Sequence, residues 1–160
     1  AYRAIPSSEN ATRGEVAALI GVRLEPLVSK VTPRQIVVTD IRNHWAQEWI
    51  TAVVRAGLMD IQPNYTFQPD LRVRRGDLAQ VVARALNLIA SANPGASRTW
   101  EAATQKIPDV PPTHLSYPAV SAAVGSGVMP LTEKGTFQLL RPVTGAEVVE
   151  VISRLEALAQ

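Results

Sequence analysis

The stretch TRGEVAALI at residues 12–20 has two counterparts further along the chain, RRGDLAQVV at residues 74–82 and TGAEVVEVI at residues 144–152. Each copy begins with a polar residue, carries an acid three positions later and continues with apolar residues at helical spacing. The copies lie 62 and 70 residues apart. An apolar residue stands eight positions before the second residue of each copy, namely Ile5, Phe67 and Phe137. A spacing shared by three segments indicates an internal repeat.

A second element precedes the later two copies. Residues 40–46 read DIRNHWA, and Asp109 and His114 stand at the matching place further on. His44 and His114 are 70 residues apart, and so are Gly57 and Gly127. The apolar stripe after residue 40 has helical spacing; its members are Trp45, Trp49, Ile50, Val53 and Val54. Each repeat is therefore predicted to be a helix ended by a left-handed glycine, a loop and a second helix.

Local signals support the second helix of each repeat. Thr12 with Glu15, and Thr144 with Glu147, have the spacing of a capping box, in which the hydroxyl and the carboxylate each accept from a backbone N–H. The loop from residue 59 to residue 73 is predicted to be anchored by Phe67. The middle copy is predicted to bury one face of its second helix, which consists of Leu78, Val81, Val82, Ala85 and Leu86.

The repeats divide the chain unevenly. Residues 1–30 hold only the second helix of a first repeat, residues 38–90 form a complete second repeat and residues 107–159 a complete third. Residues 91–106 form a linker. The helix missing from the first repeat is upstream of this sequence, supplied by another molecule, or absent. If another chain supplies it, we expect an exposed apolar face made of Val16, Leu19, Ile20 and Leu24.

Composition limits the classes of protein to consider. Of 160 residues, 46% are hydrophobic, which permits a packed core, and the net charge is only +2 despite a pI near 9.3. The cations are scattered, whereas a duplex-binding protein clusters them on one face. The absence of cysteine excludes disulfides and thiolate chemistry. No apolar run is long enough for a membrane span.

The residues in these repeats resemble the S-layer homology family. Asp40, His44, Trp45 and the Phe67-x-Pro69 pair match its first part, and Thr12-Arg13-Gly14-Glu15 is similar to its Thr-Arg-Ala-Glu signature. The resemblance implies a mainly α fold, with helical-hairpin repeats packed as a pseudo-threefold bundle with long loops. It also implies a non-catalytic module that binds peptidoglycan-linked or pyruvylated secondary cell-wall polymers in grooves between repeats.

The same resemblance assigns roles to individual residues. The signature arginine, expected to meet an acidic ketal, corresponds to Arg13 and Arg75, and the signature aromatic corresponds to Trp45. Arg74 adds a charge where the family has threonine. The signature acid falls on Glu15 and Asp77, which complete the predicted ligand-binding set. An arginine fork suits a carboxylate, whereas the helix dipole disfavours a cation in the first helical turn.

The third repeat departs from the family pattern. Gly145 stands where arginine is expected and Leu115 where tryptophan is expected, so its groove is not expected to bind the same ligand. His44 and His114 lack further ligands at metal spacing, and we expect them to make hydrogen bonds at a helix start. Asp40 and Asp109 are expected to accept from backbone N–H groups.

No nucleophile elbow, phosphate loop or carboxylate pair suggests an enzyme, and no cofactor or metal is expected. The partner is predicted to be a cell-wall polysaccharide or peptidoglycan, with no nucleic acid. The predicted location is the cell envelope, periplasmic or at the cell surface, after export as part of a larger protein. The alternative is a protein–protein assembly module that kept the fold and contacts another envelope protein or an upstream domain.

Overall fold

The described part of the chain folds into helices of 4 to 18 residues joined by loops. A computed structural model describes residues 1–101 and 105–160, apart from the side chains of residues 96–99. In that part of the chain there is no β-strand, although an isolated bridge joins Thr12 and Arg72. Two 3₁₀ helices span Tyr2–Ser7 and Pro94–Ser97. The α-helices are α1 (Arg13–Arg23), α2 (Glu25–Val28), α3 (Gln47–Arg55), α4 (Arg75–Ala92), α5 (Arg98–Glu101), α6 (Tyr117–Gly125) and α7 (Gly145–Ala159). The mainly α prediction is confirmed.

The helices group into two compact units. Unit 1 comprises Ala1–Val73 and Pro142–Ile152, and within it α1 packs against α3. Unit 2 comprises Arg74–Arg141 and Ser153–Gln160, and within it α4 packs against α6. The 3₁₀ helix Pro94–Ser97 also contacts α4, and α5 contacts α6. Each unit therefore joins the second helix of one repeat to the first helix of the next.

Capping at the second helices follows the sequence prediction. The Thr12 hydroxyl accepts from the Glu15 N–H at 3.2 Å, and the Glu15 carboxylate accepts from the Thr12 N–H at 2.9 Å. The Thr144 hydroxyl accepts from the Glu147 N–H at 3.1 Å. At α4 only half of the motif exists, because Arg74 has no side-chain acceptor; Asp77 accepts from the Arg74 N–H at 3.0 Å.

The predicted core positions are buried. Phe67, Phe137 and Ile5 are fully inaccessible to solvent. Gly57 and Gly127 both have φ of +80°, which confirms the left-handed helix ends. The predicted apolar face of α4 is buried as well; it consists of Leu78, Val81, Val82, Ala85 and Leu86.

The expectation of an exposed apolar face on α1 is wrong. Val16, Leu19, Ile20 and Leu24 are at most 3% exposed, because α1 packs against α3 inside unit 1. Removing such side chains from water is the main favourable contribution to folding, so this face is part of the core.

The predicted stripe of α3 is only partly correct. Ile50, Val53 and Val54 are buried, but the helix begins at Gln47, so Trp45 lies before it and is 39% exposed. Trp49 is half-buried and packs against α1 at Gly21. A Cβ on Gly21 would lie 2.6 Å from Trp49 Cδ1, and glycine is therefore required for this close contact.

Backbone hydrogen bonds join the three repeats in a ring inside unit 1. The Ala11 N–H donates to the Val143 carbonyl, the Val143 N–H to the Val73 carbonyl, and the Val73 N–H to the Ala11 carbonyl, over 2.8, 3.1 and 2.9 Å. These residues stand at equivalent places, immediately before the polar residue that opens each copy. The ring therefore gives each repeat one donor and one acceptor in the same role.

The predicted linker, residues 91–106, includes residues 102–104, which lie outside the described residues. In the described part, α4 continues to Ala92 and two short helices follow. Trp100 of α5 is only 5% exposed. No helix in the described ranges has the length and apolar character needed to cross a bilayer.

Candidate functional site

The two signature arginines, Arg13 and Arg75, make the same contacts in their respective units. Arg75 Nε donates to the Phe137 carbonyl at 2.6 Å and Nη2 donates to the Pro130 carbonyl at 3.0 Å. Its guanidinium carbon lies 4.5 Å from the centre of the Phe137 ring. Arg75 is only 8% exposed. Such contacts satisfy loop carbonyls from a buried cation and fix the loop that carries the phenylalanine.

Arg13 repeats this arrangement in unit 1 with more solvent access. Its Nε donates to the Phe67 carbonyl at 2.8 Å and its Nη2 to the Asp60 carbonyl, while its guanidinium carbon lies 4.3 Å from the Phe67 ring centre. The following residue, Gly14, donates its N–H to the Pro69 carbonyl at 2.8 Å. The start of α1 therefore supports the loop around Phe67 through both side chain and backbone.

The leading aspartates hold the same loops from the other side. Asp40 accepts from the N–H groups of Phe67 and Gln68 at 2.7 and 2.8 Å. Asp109 accepts from those of Phe137 and Gln138 at 2.8 and 2.7 Å. This confirms the expectation that both aspartates satisfy backbone donors. Each aspartate thereby fixes the position of a glutamine N–H beside its buried phenylalanine.

Electrostatics favours the charged form of Asp109. Burial on its own raises the pKa of this carboxyl group, but the N–H groups of Phe137 and Gln138, together with the charge of Arg75, outweigh burial and lower the pKa of Asp109 below its usual value. The carboxylate is therefore the form that holds the loop of the third repeat at neutral pH.

The structure explains why the third repeat has glycine where arginine is expected. Gly145 donates its N–H to the Ser8 carbonyl at 2.8 Å, and a Cβ at this position would lie 1.7 Å from the carbonyl oxygen of Ile5. No side chain fits there without moving the backbone of the 3₁₀ helix Tyr2–Ser7. Since Ile5 is fully buried, that segment has little freedom to move.

The two histidines begin their helical segments with hydrogen bonds, as expected. His44 Nδ1 accepts from the Ala46 N–H at 3.1 Å, and His114 Nδ1 accepts from the Ser116 N–H at 2.9 Å. With Nδ1 accepting, Nε2 of His44 carries the proton and donates to Asp70 at 3.3 Å. Asp70 itself is 88% exposed, so this contact lies at the surface of unit 1.

His44 and Asp70 belong to a polar groove on unit 1, hereafter the groove, with a volume of about 660 Å³. It is lined by Asp40, Arg42, Asn43, His44, Gln68, Pro69, Asp70 and Leu71. Asn43 and Gln68 have positive φ angles of 62° and 59°, which few non-glycine residues adopt. Strained backbone of this kind concentrates at binding sites, where the surrounding structure enforces it.

A row of aromatic rings continues from the groove. The ring centres of His44 and Trp45 lie 5.6 Å apart, those of Trp45 and Trp49 6.3 Å, and those of Trp49 and Tyr2 5.9 Å. His44 also lines the groove, and Trp45 is the most exposed of the three larger rings. The groove thus combines carboxylates, a guanidinium, amides and an imidazole with an adjoining aromatic surface, which suits ligands that have both hydroxyl groups and apolar faces.

The residues predicted to bind ligand occupy different environments. Arg13 and Arg75 contact loop carbonyls, and the carboxylates of Glu15 and Asp77 accept at helix starts. Arg74 is exposed at the start of α4, and Trp45 is exposed beside the groove. No contact made by these six residues tests whether they bind a ligand.

None of the residues that line the groove was predicted to bind ligand. Arg42, Asn43 and Asp70 lie next to recognisable motif positions but have no equivalent in the third repeat, where Pro112, Thr113 and Leu140 stand 70 residues on. The signal available in the sequence was the closeness of Arg42 and Asn43 to the motif residue Asp40. In the described ranges, no group of three His, Asp or Glu side chains is placed to hold a metal ion.

Comparison with known proteins agrees with this repeat structure. The model of the S-layer homology domain matches residues 39–79 and 106–149, more than half of the chain. A cellulosome-anchoring protein of Acetivibrio thermocellus is 31% identical over 77 residues, which cover 47% of this chain and 17% of that protein. The chain thus spans about a sixth of this relative's length. The matched residues include one histidine, one loop-holding aspartate and one buried phenylalanine from each of the two repeats: His44, Asp40 and Phe67, and His114, Asp109 and Phe137. The chain belongs to the S-layer homology family.

Proposed function

We propose that this chain is a non-catalytic module that holds a larger envelope protein against a cell-wall polymer. Two findings support the proposal: membership of the S-layer homology family, and similarity to a protein named for anchoring the cellulosome. The groove on unit 1 is the surface that we assign to the polymer. Its mixed donors and acceptors suit sugar hydroxyl groups, and Trp45 lies where a sugar ring could rest.

The observation that carries the proposal is the mixed charge of the groove. Asp40 and Asp70 supply carboxylates, and Arg42 supplies a cation within the same lining. An acidic substituent of the polymer is expected to contact Arg42, because the guanidinium groups of Arg13 and Arg75 already donate to backbone carbonyls. In this proposal the signature arginines act by holding the loops in place.

Cosedimentation with cell walls tests the proposal. The purified chain is incubated with native sacculi and with sacculi stripped of secondary polymer, and the bound fraction is measured. We expect binding to native sacculi and about a hundredfold loss in a double variant, Arg42→Ala with Asp70→Ala, because each lost charged contact weakens binding by about tenfold.

A matched control keeps the change in charge the same. Glu133→Ala with Lys134→Ala also removes one acid and one cation, at exposed positions of unit 2 outside the groove. This variant is expected to bind as the wild type does. Equal binding by the groove variant and the control would refute the groove assignment, and no binding to any sacculus would refute wall anchoring.

A second candidate function, protein–protein assembly, is favoured by the third repeat. Leu115 and Leu140 stand where the second repeat has Trp45 and Asp70, and they are 97% and 73% exposed. Exposed leucines at these positions favour contact with an apolar partner surface over contact with sugar hydroxyls. Light scattering of the wild type and of a Leu115→Ser, Leu140→Ser variant tests this. A wild-type chain that is monomeric and also captures no envelope protein would count against the assembly function.

A further inference from the structure

We propose that unit 2 contains a separate binding site for a short neutral saccharide, in a cleft between α4 and α6 that α5 closes on one side. The cleft has a volume of about 570 Å³, within the range of small-molecule sites. All its lining residues belong to unit 2, whereas the groove belongs to unit 1.

The cleft exists because a tryptophan is missing from one of two equivalent helix pairs. In unit 1, Trp49 of α3 fills the space beside Gly21 of α1. The equivalent residues in unit 2, at the repeat offsets of 70 and 62, are Ala119 of α6 and Ala83 of α4, and both line the cleft. Replacing an indole by a methyl group leaves room that neighbouring side chains do not fill.

The segment between the repeats adds its own groups to this space. Trp100 and Glu101 of α5 line the cleft, although nothing in the repeat pattern requires them. Trp100 is 5% exposed and lines the cleft, so its indole lies against the cleft rather than in solvent. The insertion therefore supplies an aromatic wall where the helix pair lost one.

The polar groups indicate the ligand. Gln80 and Asn87 offer amides from α4, and Arg84 and Glu101 contribute one charge of each sign. Because these two formal charges cancel, the lining carries no net formal charge to attract an ion. Amides and the ring of Tyr117 instead suit a neutral sugar, above all one with an acetamido group, which has a donor, an acceptor and a methyl group.

The existence of the cleft does not depend on the proposed function, but the choice of a saccharide rests on it. A single N-acetylated sugar ring of about 15 non-hydrogen atoms, at the efficiency typical of larger ligands, is expected to bind with a Kd on the order of 1 mM.

Nuclear magnetic resonance provides a direct test with the whole chain and the dimer and tetramer of N-acetylglucosamine as probes. The chain has three tryptophans, and their indole N–H signals report on separate places: Trp100 on the cleft, Trp45 and Trp49 on the aromatic row of unit 1. We expect a saturable shift of the Trp100 signal. A Trp100 signal unchanged at the highest probe concentration would overturn the proposal.

Two variants separate binding from folding. Ala83→Phe is expected to fill the cleft and abolish the Trp100 shift, and its melting temperature shows whether it folds. Gln80→Ala with Asn87→Ala removes two exposed amides, which leaves the fold intact and is expected to weaken binding about tenfold. Wild-type binding by the second variant would contradict the assigned contacts, whatever the stability of the first.

The experiment also distinguishes this inference from wall anchoring. Arg42→Ala with Asp70→Ala alters only the groove, so the Trp100 shift is expected to be unchanged in that variant. A normal Trp100 shift in a chain that fails to bind sacculi would leave the cleft assignment standing and remove the anchoring proposal. Binding to sacculi without any Trp100 shift would leave the anchoring proposal standing and remove the cleft assignment.

Discussion

Replacing Arg75 by alanine tests the structural role of the signature arginine. The change removes two hydrogen bonds from a guanidinium that is 8% exposed, to the Phe137 carbonyl at 2.6 Å and to the Pro130 carbonyl at 3.0 Å. It also removes the stacking over the Phe137 ring. We expect Arg75→Ala to lower the free energy of unfolding substantially.

The expected loss in the free energy of unfolding depends on the two carbonyls that lose their donor, those of Phe137 and Pro130. A hydrogen bond from a charged donor contributes about 1.5–3 kcal/mol, and a largely desolvated cation–π contact about 1–2 kcal/mol. Pro130 lies at the surface, where water can replace the lost donor, whereas Phe137 is fully buried. Counting the Phe137 bond and part of the stacking gives a loss of about 3–4 kcal/mol, a large fraction of the roughly 5–15 kcal/mol typical of a domain.

Urea unfolding followed by circular dichroism measures this loss, with the midpoint and the slope fitted separately. Arg74→Ala is the matched control, since it removes the neighbouring arginine at an exposed position and leaves the capping bond to its backbone N–H intact. The control is expected to change the free energy of unfolding by less than about 0.5 kcal/mol. Arg75→Lys keeps the charge but has one nitrogen, so it is expected to fall between the two.

Arg13→Ala extends the series. Arg13 makes the equivalent contacts with greater exposure, and we therefore expect a loss of about 2 kcal/mol, smaller than that of Arg75→Ala. If Arg75→Ala cost no more than Arg74→Ala, the conclusion that this arginine holds the loop of the third repeat would be wrong.

Three further predictions concern residues that hold a helix start or a loop in place. Gly145→Ala places a methyl group against the Ile5 carbonyl and is expected to destabilise unit 1 by at least about 2–3 kcal/mol in urea unfolding. The control is Gly95→Ala, whose new Cβ would have its nearest neighbour at 3.6 Å and which is expected to change stability little. Equal effects of the two substitutions would refute the steric argument. Because the folded-state pKa of Asp109 lies below the unfolded value of about 3.9, its carboxylate stabilises the fold above that pH, and this contribution is lost as the pH falls through the folded-state pKa. Asp109→Asn is therefore expected to flatten the decline of the urea midpoint as the pH falls below about 4, and an unchanged decline in this variant would contradict the role of the carboxylate. Thr12→Ala removes the hydroxyl of a capping box and is expected to lower the melting temperature through a loss of about 1 kcal/mol, an effect that Thr12→Ser should restore.

The sequence was sufficient for features that depend on local spacing. The repeat offsets, the helix caps at Thr12 and Thr144, the left-handed Gly57 and the buried Phe67 all follow from residue type and register. These features are readable because one residue type is strongly favoured at each position.

Features that depend on packing between distant segments were not readable. The sequence shows that Gly145 replaces an arginine, but only the approach of the Ile5 carbonyl gives the reason. The exchange of Trp49 for Ala119 is visible in the repeats, yet it becomes a cleft only when α4 and α6 are placed side by side. Arg42, Asn43 and Asp70 of the groove occur in one repeat only, so no periodic signal marks them.

The ring of Ala11, Val73 and Val143 constrains how the molecule can form. The chain leaves unit 1 after Val73 and returns at Pro142, so the two bonds made by Val143 must wait for a segment synthesised some 70 residues later. Closing so long an excursion is slow and entropically unfavourable. In a ribosome-bound chain that stops short of residue 143, the Ala11 N–H and the Val73 carbonyl would therefore lack their partners from the ring. Removing any single copy from the finished chain would likewise leave the other two copies with one unmatched donor and one unmatched acceptor.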